Sequence, residues 1–178
     1  MPATISRSSR RGFTLIEILG VVVILGIISA TIIPQIATRD DQRAAAAARV
    51  VMSDLLYAQN RAVAQQKVHY VVFDVVNKNY KVLDKWSPAT VIKNPVDGST
   101  FQVYFGDASA GGLKEMSLVS AAFDGNSAIA FDAMGIPQSV NASTGALTPM
   151  TVGRVVVGSG TYQLTVTVSP FSGELTVQ

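Results

Sequence analysis

One stretch limits what this chain can become more than any other. From Phe13 to Ile33 the residues are almost all apolar, and Glu17 is the one charge among them. At a helical rise of about 1.5 Å per residue the segment reaches roughly 31 Å, the thickness of a bilayer's hydrocarbon core. The stretch therefore predicts a membrane-spanning helix over residues 13–33. Arg10 and Arg11 stand just ahead of it, and basic residues on that flank with none inside place the flank in the cytoplasm by the positive-inside rule. Everything after the helix is then expected on the far side of that membrane.

Glu17 is the expensive residue in this segment. A carboxylate inside an apolar helix costs about 2.5 to 3.5 kcal/mol at the helix centre on insertion scales, so such a group usually has a partner. No basic residue within 13–33 can supply one. A partner from outside the helix is therefore expected.

The string Gly12-Phe13-Thr14-Leu15-Ile16-Glu17 resembles the prepilin signature of type IV pilins and type II secretion pseudopilins. That signature has a short basic leader, cleavage after Gly, a Phe that becomes the new N-terminus and a Glu at its fifth position. Pro34 also stands where the family commonly has a kink-forming proline. The resemblance implies that a prepilin peptidase cuts between Gly12 and Phe13 and methylates the Phe13 amine. It further implies that Glu17 attracts the Phe13 amine of a neighbouring subunit during assembly, with Arg10 and Arg11 as the leader charge. An ordinary secretory signal would have a shorter apolar core, about 7 to 15 residues, followed by a small-residue cleavage site. A plain signal anchor would explain the length and the arginines but neither Glu17 nor the Gly12–Phe13 junction.

The formal charge of +2, from 14 Lys and Arg against 12 Asp and Glu, is misleading, because Arg7, Arg10 and Arg11 all lie in residues 1–12. Without that leader the chain is close to neutral and slightly acidic, which argues against the basic footprint of a nucleic-acid binder. There is no cysteine, so no disulfide can be part of the outer domain. The remaining length suits one globular domain.

Past Pro34, whose missing N–H frees a carbonyl one turn back and favours a kink, the helical signal is expected to continue to residue 66. Five alanines, Ala44 to Ala48, are the strongest helix formers available. Val51, Leu55, Ala58 and Ala62 then form a narrow apolar stripe, with Arg49, Asp54, Asn60 and Arg61 mostly off it. The stripe is expected to dock on the chain's own domain, whereas Ala44 to Ala48 could equally pack on other subunits.

From Lys67 the period changes to two. Strands are expected at 68–73, 80–83 and 101–105, with the turn Asn77-Lys78-Asn79 between the first two. Residues 84–100, with Pro88, Pro95 and Asp97-Gly98, read as irregular chain, and 106–114 as a loop. Further strands are expected at 116–123, 128–131, 154–157, 162–168 and 174–177, with turns at 124–126, 134–137 and 170–173. The alternation of Tyr162, Leu164, Val166 and Val168 with Gln163, Thr165 and Thr167 is that of a half-buried antiparallel strand. The fold class expected is α+β: a long N-terminal helix, membrane-spanning in its first half, packed on an antiparallel β-sheet or β-sandwich. The organisation is a leader at 1–12, a membrane or filament-core helix at 13–33, its amphipathic continuation at 34–66 and a periplasmic β-rich domain at 67–178.

The later residues narrow the resemblance. Leu55 to Val63 running into a strand, then Ala130-Phe131-Asp132 with Gly135, then Arg154 to Val157 and a final hairpin at Gly173, are similar to the minor pseudopilin of the H type and the minor type IV pilins that share its domain.

Catalysis needs a positioned set of groups, and the chain offers one histidine, His69, and no spaced His, Asp and Glu cluster. His69 reads as an ordinary sheet residue. Gly158-Ser159-Gly160 lacks a third glycine at phosphate-loop spacing and reads as a hairpin turn. Asp124-Gly125-Asn126 and Asp132 invite calcium, which the major pseudopilins of the resembled family bind, but not at the spacing of a recognised loop. No cofactor, metal or enzymatic activity is expected. The resemblance implies, as partners, prepilin peptidase, other pilin or pseudopilin subunits, an inner-membrane assembly platform and, before assembly, membrane lipid. The first functional expectation is a minor pseudopilin of a type II secretion system. The alternative is a minor type IV pilin in pilus assembly or DNA uptake, although Arg154 is the one basic residue after Lys114.

Overall fold

The structure, a computed structural model, describes residues 12–37, 39–106 and 108–178, with the side chains of 30–37, 108 and 109 outside that description. The leader up to residue 11, including Arg10 and Arg11, also lies outside the described residues. The chain forms two units, Met1–Arg39 and Asp40–Gln178.

The first unit contains helix α1, Leu15–Ala37, which includes Pro34. Thr14 caps it: its carbonyl accepts from the Glu17 and Ile18 N–H groups, and its hydroxyl accepts from Glu17 N–H at 3.3 Å. Helix was expected from Phe13 without a break to residue 66. It begins at Leu15, α1 ends at Ala37, and a separate helix α2 starts at Asp40 after the non-helical Arg39. Asp40 and Asp41 make a favourable first turn for a fresh helix, since carboxylates complement its positive N-terminal end. Among the described residues no helix is long and apolar enough to cross a membrane.

The second unit is built around α2, Asp40–Gln65. Its buried residues, Ala44, Ala47, Ala48, Val51, Leu55, Ala58 and Ala62, follow the three- and four-residue steps of one helix face. The alanines at 44, 47 and 48 are therefore covered by the chain's own domain. Small side chains there let the helix lie close to the sheets, while Val51 and Leu55, both buried, contribute about 1.5 to 3 kcal/mol each. The helix stops at Gln66, which takes a left-handed conformation (φ 52), and Lys67 N–H returns to the Ala62 carbonyl at 3.1 Å.

Among the described residues, eleven antiparallel strands form two sheets: β1 His69–Asp74, β2 Asn79–Lys85, β3 Thr90–Val91, β4 Gln102–Tyr104, β5 Ser117–Phe123, β6 Ala128–Phe131, β7 Pro137–Val140, β8 Leu147–Pro149, β9 Gly153–Ser159, β10 Tyr162–Val168 and β11 Leu175–Val177. The larger has the order β3-β2-β1-β6-β7-β8 with β4 also on β2, and the smaller the order β11-β10-β9-β5. Helix α2 packs on both, chiefly on β9, β10 and β1. The expected α+β class is what is found.

Between helix and sheets lies an aromatic core. Phe73 meets Phe123 and Tyr80 at ring separations of 5.6 and 5.2 Å, and Tyr57 stacks on Phe101 at 5.5 Å. The chain changes sheet three times, before β5, at the β5–β6 turn and before β9. Asp124 ties the last two crossings together, its carboxylate accepting from Thr151 N–H and Val152 N–H at 2.9 Å each and from the Thr151 hydroxyl at 2.6 Å. A short 3-10 segment, Ala108–Leu113, replaces the loop expected there.

Candidate functional site

The N-terminal segment carries the sequence-derived site. Gly12 and Phe13 precede the helix, and Phe13 is 77 % exposed. The described apolar side chains of α1 from Leu15 to Ile28 are exposed as well. Glu17 falls in the first turn of α1, where its Oε2 faces the Thr14 N–H at 3.5 Å. With the Thr14 hydroxyl on Glu17 N–H, Thr14-Leu15-Ile16-Glu17 forms the two halves of a capping box, the side-chain half long. Within its own chain the Glu17 carboxylate faces the Thr14 amide just ahead of α1, and the helix N-terminus favours a carboxylate there. The structure thus groups Phe13, Thr14 and Glu17 within one helical turn of the Gly12–Phe13 junction. Pro34 lies within the backbone of α1, its side chain outside the described residues.

In the second unit the polar residues are occupied in structure. His69 is buried on β1; its Nδ1 lies 3.2 Å from the Lys67 carbonyl and its Nε2 accepts from Arg61 Nε–H at 3.2 Å. That pairing needs a neutral ring with its proton on Nδ1. Burial first of all, with the neighbouring Arg61 charge, holds the imidazole pKa below its usual value of 6.5. Arg61 also donates to the Tyr57 hydroxyl at 3.1 Å. His69, expected to be an ordinary sheet residue, is thus a buried acceptor linking β1 to α2.

Asp54 was placed off the apolar stripe of α2, yet it lies at its edge and accepts a hydrogen bond from the buried Tyr80 hydroxyl of β2. Burial raises the Asp54 pKa above the usual 3.8, against the opposing pull of the Tyr80 and Ser53 hydroxyls. Burial beside this carboxylate likewise pushes Tyr80 well above 10. The signal was available in the strand period, since Tyr80 and Val82 share the inward side of β2, but which helical residue would meet Tyr80 depends on packing.

The residues that invited calcium are turn anchors. Asp124 accepts from residues 151 and 152, and Asp132 from Met134 N–H at 2.8 Å and Ile136 N–H at 2.9 Å. No group of three or more metal-ligating side chains occurs among the described residues. Gly158-Ser159-Gly160 is the β9–β10 hairpin, with Gly160 at φ 56 and Ser159 donating to the Glu115 carbonyl at 3.0 Å.

An open groove of about 420 Å³ crosses the outer face of the larger sheet, lined by Val72, Lys81, Leu83, Trp86, Ala89 and Val91. Apolar walls with one amine give it no convergent set of acid, base and nucleophile.

Known proteins match both ends of the chain. The prokaryotic N-terminal methylation motif matches residues 7–33, and the family described as type II transport protein GspH matches residues 47–173. The type II secretion system core protein G of Pseudomonas aeruginosa is 58 % identical over 36 residues, which is 20 % of this chain. The matched stretch spans 25 % of that curated relative's length. In fold, the chain is similar to the minor pseudopilin EpsH from the type 2 secretion system of Vibrio cholerae, with a TM-score of 0.52 at 16 % identity over 76 % of this chain and 96 % of that one.

Proposed function

The chain belongs to the type II transport protein GspH family, and from that premise we propose that it works as a minor pseudopilin, a structural subunit of the periplasmic pseudopilus. The single observation carrying the reading is the order Gly12-Phe13-Thr14-Leu15-Ile16-Glu17 at the head of an apolar helix, inside a matched N-terminal methylation motif. Prepilin peptidase cleaves between Gly12 and Phe13 and methylates the new amine at Phe13, with Arg10 and Arg11 keeping the leader in the cytoplasm. Until assembly, residues 13–33 span the inner membrane as a single pass with the later domain in the periplasm. An inner-membrane platform then moves the helix into the filament, where its apolar surface packs on those of other subunits and Pro34 bends it.

Glu17 has two successive roles in this scheme. In the lone subunit it caps its own helix through Thr14, which uses one carboxylate oxygen at a long distance. During assembly a neighbour's Phe13 ammonium is the stronger partner, because two opposite charges in an apolar medium attract far more than a carboxylate and an amide. The domain of residues 40–178 lies outside the packed helices and selects neighbours.

The test is intact mass and N-terminal sequence of membrane-purified chain with and without coexpressed prepilin peptidase, together with Glu17→Ala. A chain starting at N-methylated Phe13, with Glu17→Ala still cleaved but excluded from filaments, is the expected result. A chain retaining Met1 in the presence of the peptidase, or normal incorporation of Glu17→Ala, overturns the scheme.

A further inference from the structure

Two turns meet on the C-terminal half of α2 and carry large apolar side chains outward. The turn between β6 and β7 presents Met134, 75 % exposed, and the turn between β10 and β11 presents Phe171, 81 % exposed. Gln59 of α2 pins both, donating from Nε2 to the Gly135 carbonyl at 2.9 Å and the Ser172 carbonyl at 3.3 Å. A Cβ built on Gly173 would lie 3.2 Å from the Gly135 carbonyl oxygen, so the two turns touch. On α2 itself, Leu56 and Val63 flank Gln59 on the same helix face, and both are exposed.

Phe171 holds a left-handed backbone (φ 69), a conformation costly for a bulky residue and easy for glycine or asparagine. An aromatic side chain thus stands in solvent at the tip of a braced turn, on a backbone that disfavours it. The chain around it is polar but mostly uncharged: Gln59, Asn60, Gln66 and Ser172, with the exposed Glu174 of the same turn as a charged neighbour. Asp132 directs its carboxylate into its own turn. An aromatic and a methionine at the centre of a patch with few charges is the composition of a protein interface and not of a nucleic-acid or headgroup site.

The size of the patch selects the kind of partner. Leu56, Val63, Met134 and Phe171 together expose on the order of 400 Å², roughly half of what each partner contributes to a stable standard-size complex. Such a contact is too small to hold a free protein or a second copy in solution, but it suffices between molecules already held side by side by another contact. We propose that this patch, anchored by Phe171, is the lateral contact through which the domain docks on the globular domain of a different pseudopilin subunit tethered next to it. The proposal rests on the assembly reading above and adds to it the surface that chooses the neighbour.

The experiment places the photo-crosslinker p-benzoylphenylalanine at position 171, at position 96 in the exposed loop between β3 and β4, or at position 24 in α1. The full chain is coexpressed with prepilin peptidase and the other pseudopilins of its own secretion system. Position 171 is expected to crosslink to a different pseudopilin at least about tenfold above position 96, and Glu17→Ala in the same chain to abolish most of that product. Equal yields at 171 and 96, a product insensitive to Glu17→Ala, or crosslinking from 171 to a second copy or to a protein that is no pseudopilin overturns the proposal. If position 24 reaches other pseudopilins and position 171 does not, the surface proposal falls while the assembly reading stands. If neither position does, the assembly reading fails and the surface falls with it.

Discussion

Gln59 and Gly135, 76 residues apart in the chain, are joined by a 2.9 Å hydrogen bond from the helix amide to the turn carbonyl. The same nitrogen reaches the Ser172 carbonyl, so one side chain fixes two turns to α2. Gly135 (φ 82) and Gly173 (φ 68) make room for this arrangement, since a Cβ on Gly173 would press on the Gln59 amide and one on Gly135 on the neighbouring Val63 methyl. Gln59→Ala leaves two carbonyls without this donor and should lower stability by about 1 to 3 kcal/mol. Urea unfolding of the detergent-purified full chain reads this as a lower midpoint at unchanged slope. An unchanged midpoint would mean that water replaces Gln59 at no cost and that the turns are held by other contacts.

Trp86 lies against Gly145, in the β7–β8 connection, on the outer face of the larger sheet. The indole fills the space that a Cβ on Gly145 would need, and Gly145 has φ 71. Trp86 also packs on Tyr70 at 5.6 Å and on the small cluster of Ala128, Ala130 and Val140. Gly145→Ala should therefore displace the indole and destabilise the domain by about 1 to 3 kcal/mol. Trp86 is the chain's one tryptophan, so its emission reports the change directly as a red shift. Emission identical to that of the parent would show that the indole does not depend on this glycine.

Asp54 makes stability depend on pH in the sense opposite to that of a salt-bridged carboxylate. Its folded pKa is raised by burial, so the folded state binds a proton more readily than the unfolded one. The associated stability is fully present below the ordinary value of 3.8 and is lost as pH rises through the raised folded value. Asp54→Asn keeps an oxygen for the Tyr80 hydroxyl without the charge. Its advantage over the parent should be near zero below pH 3.8 and grow towards neutrality, read from urea midpoints across that range. Asp74, Asp97 and Asp124, whose pKa values are lowered by hydrogen bonds from neighbouring side chains and backbone, act the other way but equally in both chains. A difference independent of pH would sink the assignment.

Much of this architecture is legible in the residues. Strand β10 follows from period-two alternation, the strands around Ala128 and Val155 from short apolar runs bounded by turn residues, and the Val51, Leu55, Ala58, Ala62 stripe gives the buried face of α2. The break between α1 and α2 was not foreseen, because alanine-rich sequence on one side and apolar sequence on the other both read as helix. The short strands β3, β7 and β8 went unseen for another reason. Two to four residues show no measurable period, and Pro137 and Pro149 mark turns in sequence while here they stand at strand ends. At the candidate site, the Gly12-to-Glu17 string is wholly local and so readable. The Tyr80–Asp54 and Arg61–His69 pairs join separate elements, and only packing shows which of several inward residues will meet.

The bed on which α2 lies has a consequence for when the domain can form. Its main supports, β9 and β10, are residues 153–168, more than 85 positions after the helix ends. A ribosome or export channel delivers the helix long before it delivers the strands that cover Val51 and Leu55. Until then the apolar face of α2 must be shielded by something other than its own domain. Folding of this domain is therefore deferred until residues 153–168 have emerged, and the residues before them stay threadable until then.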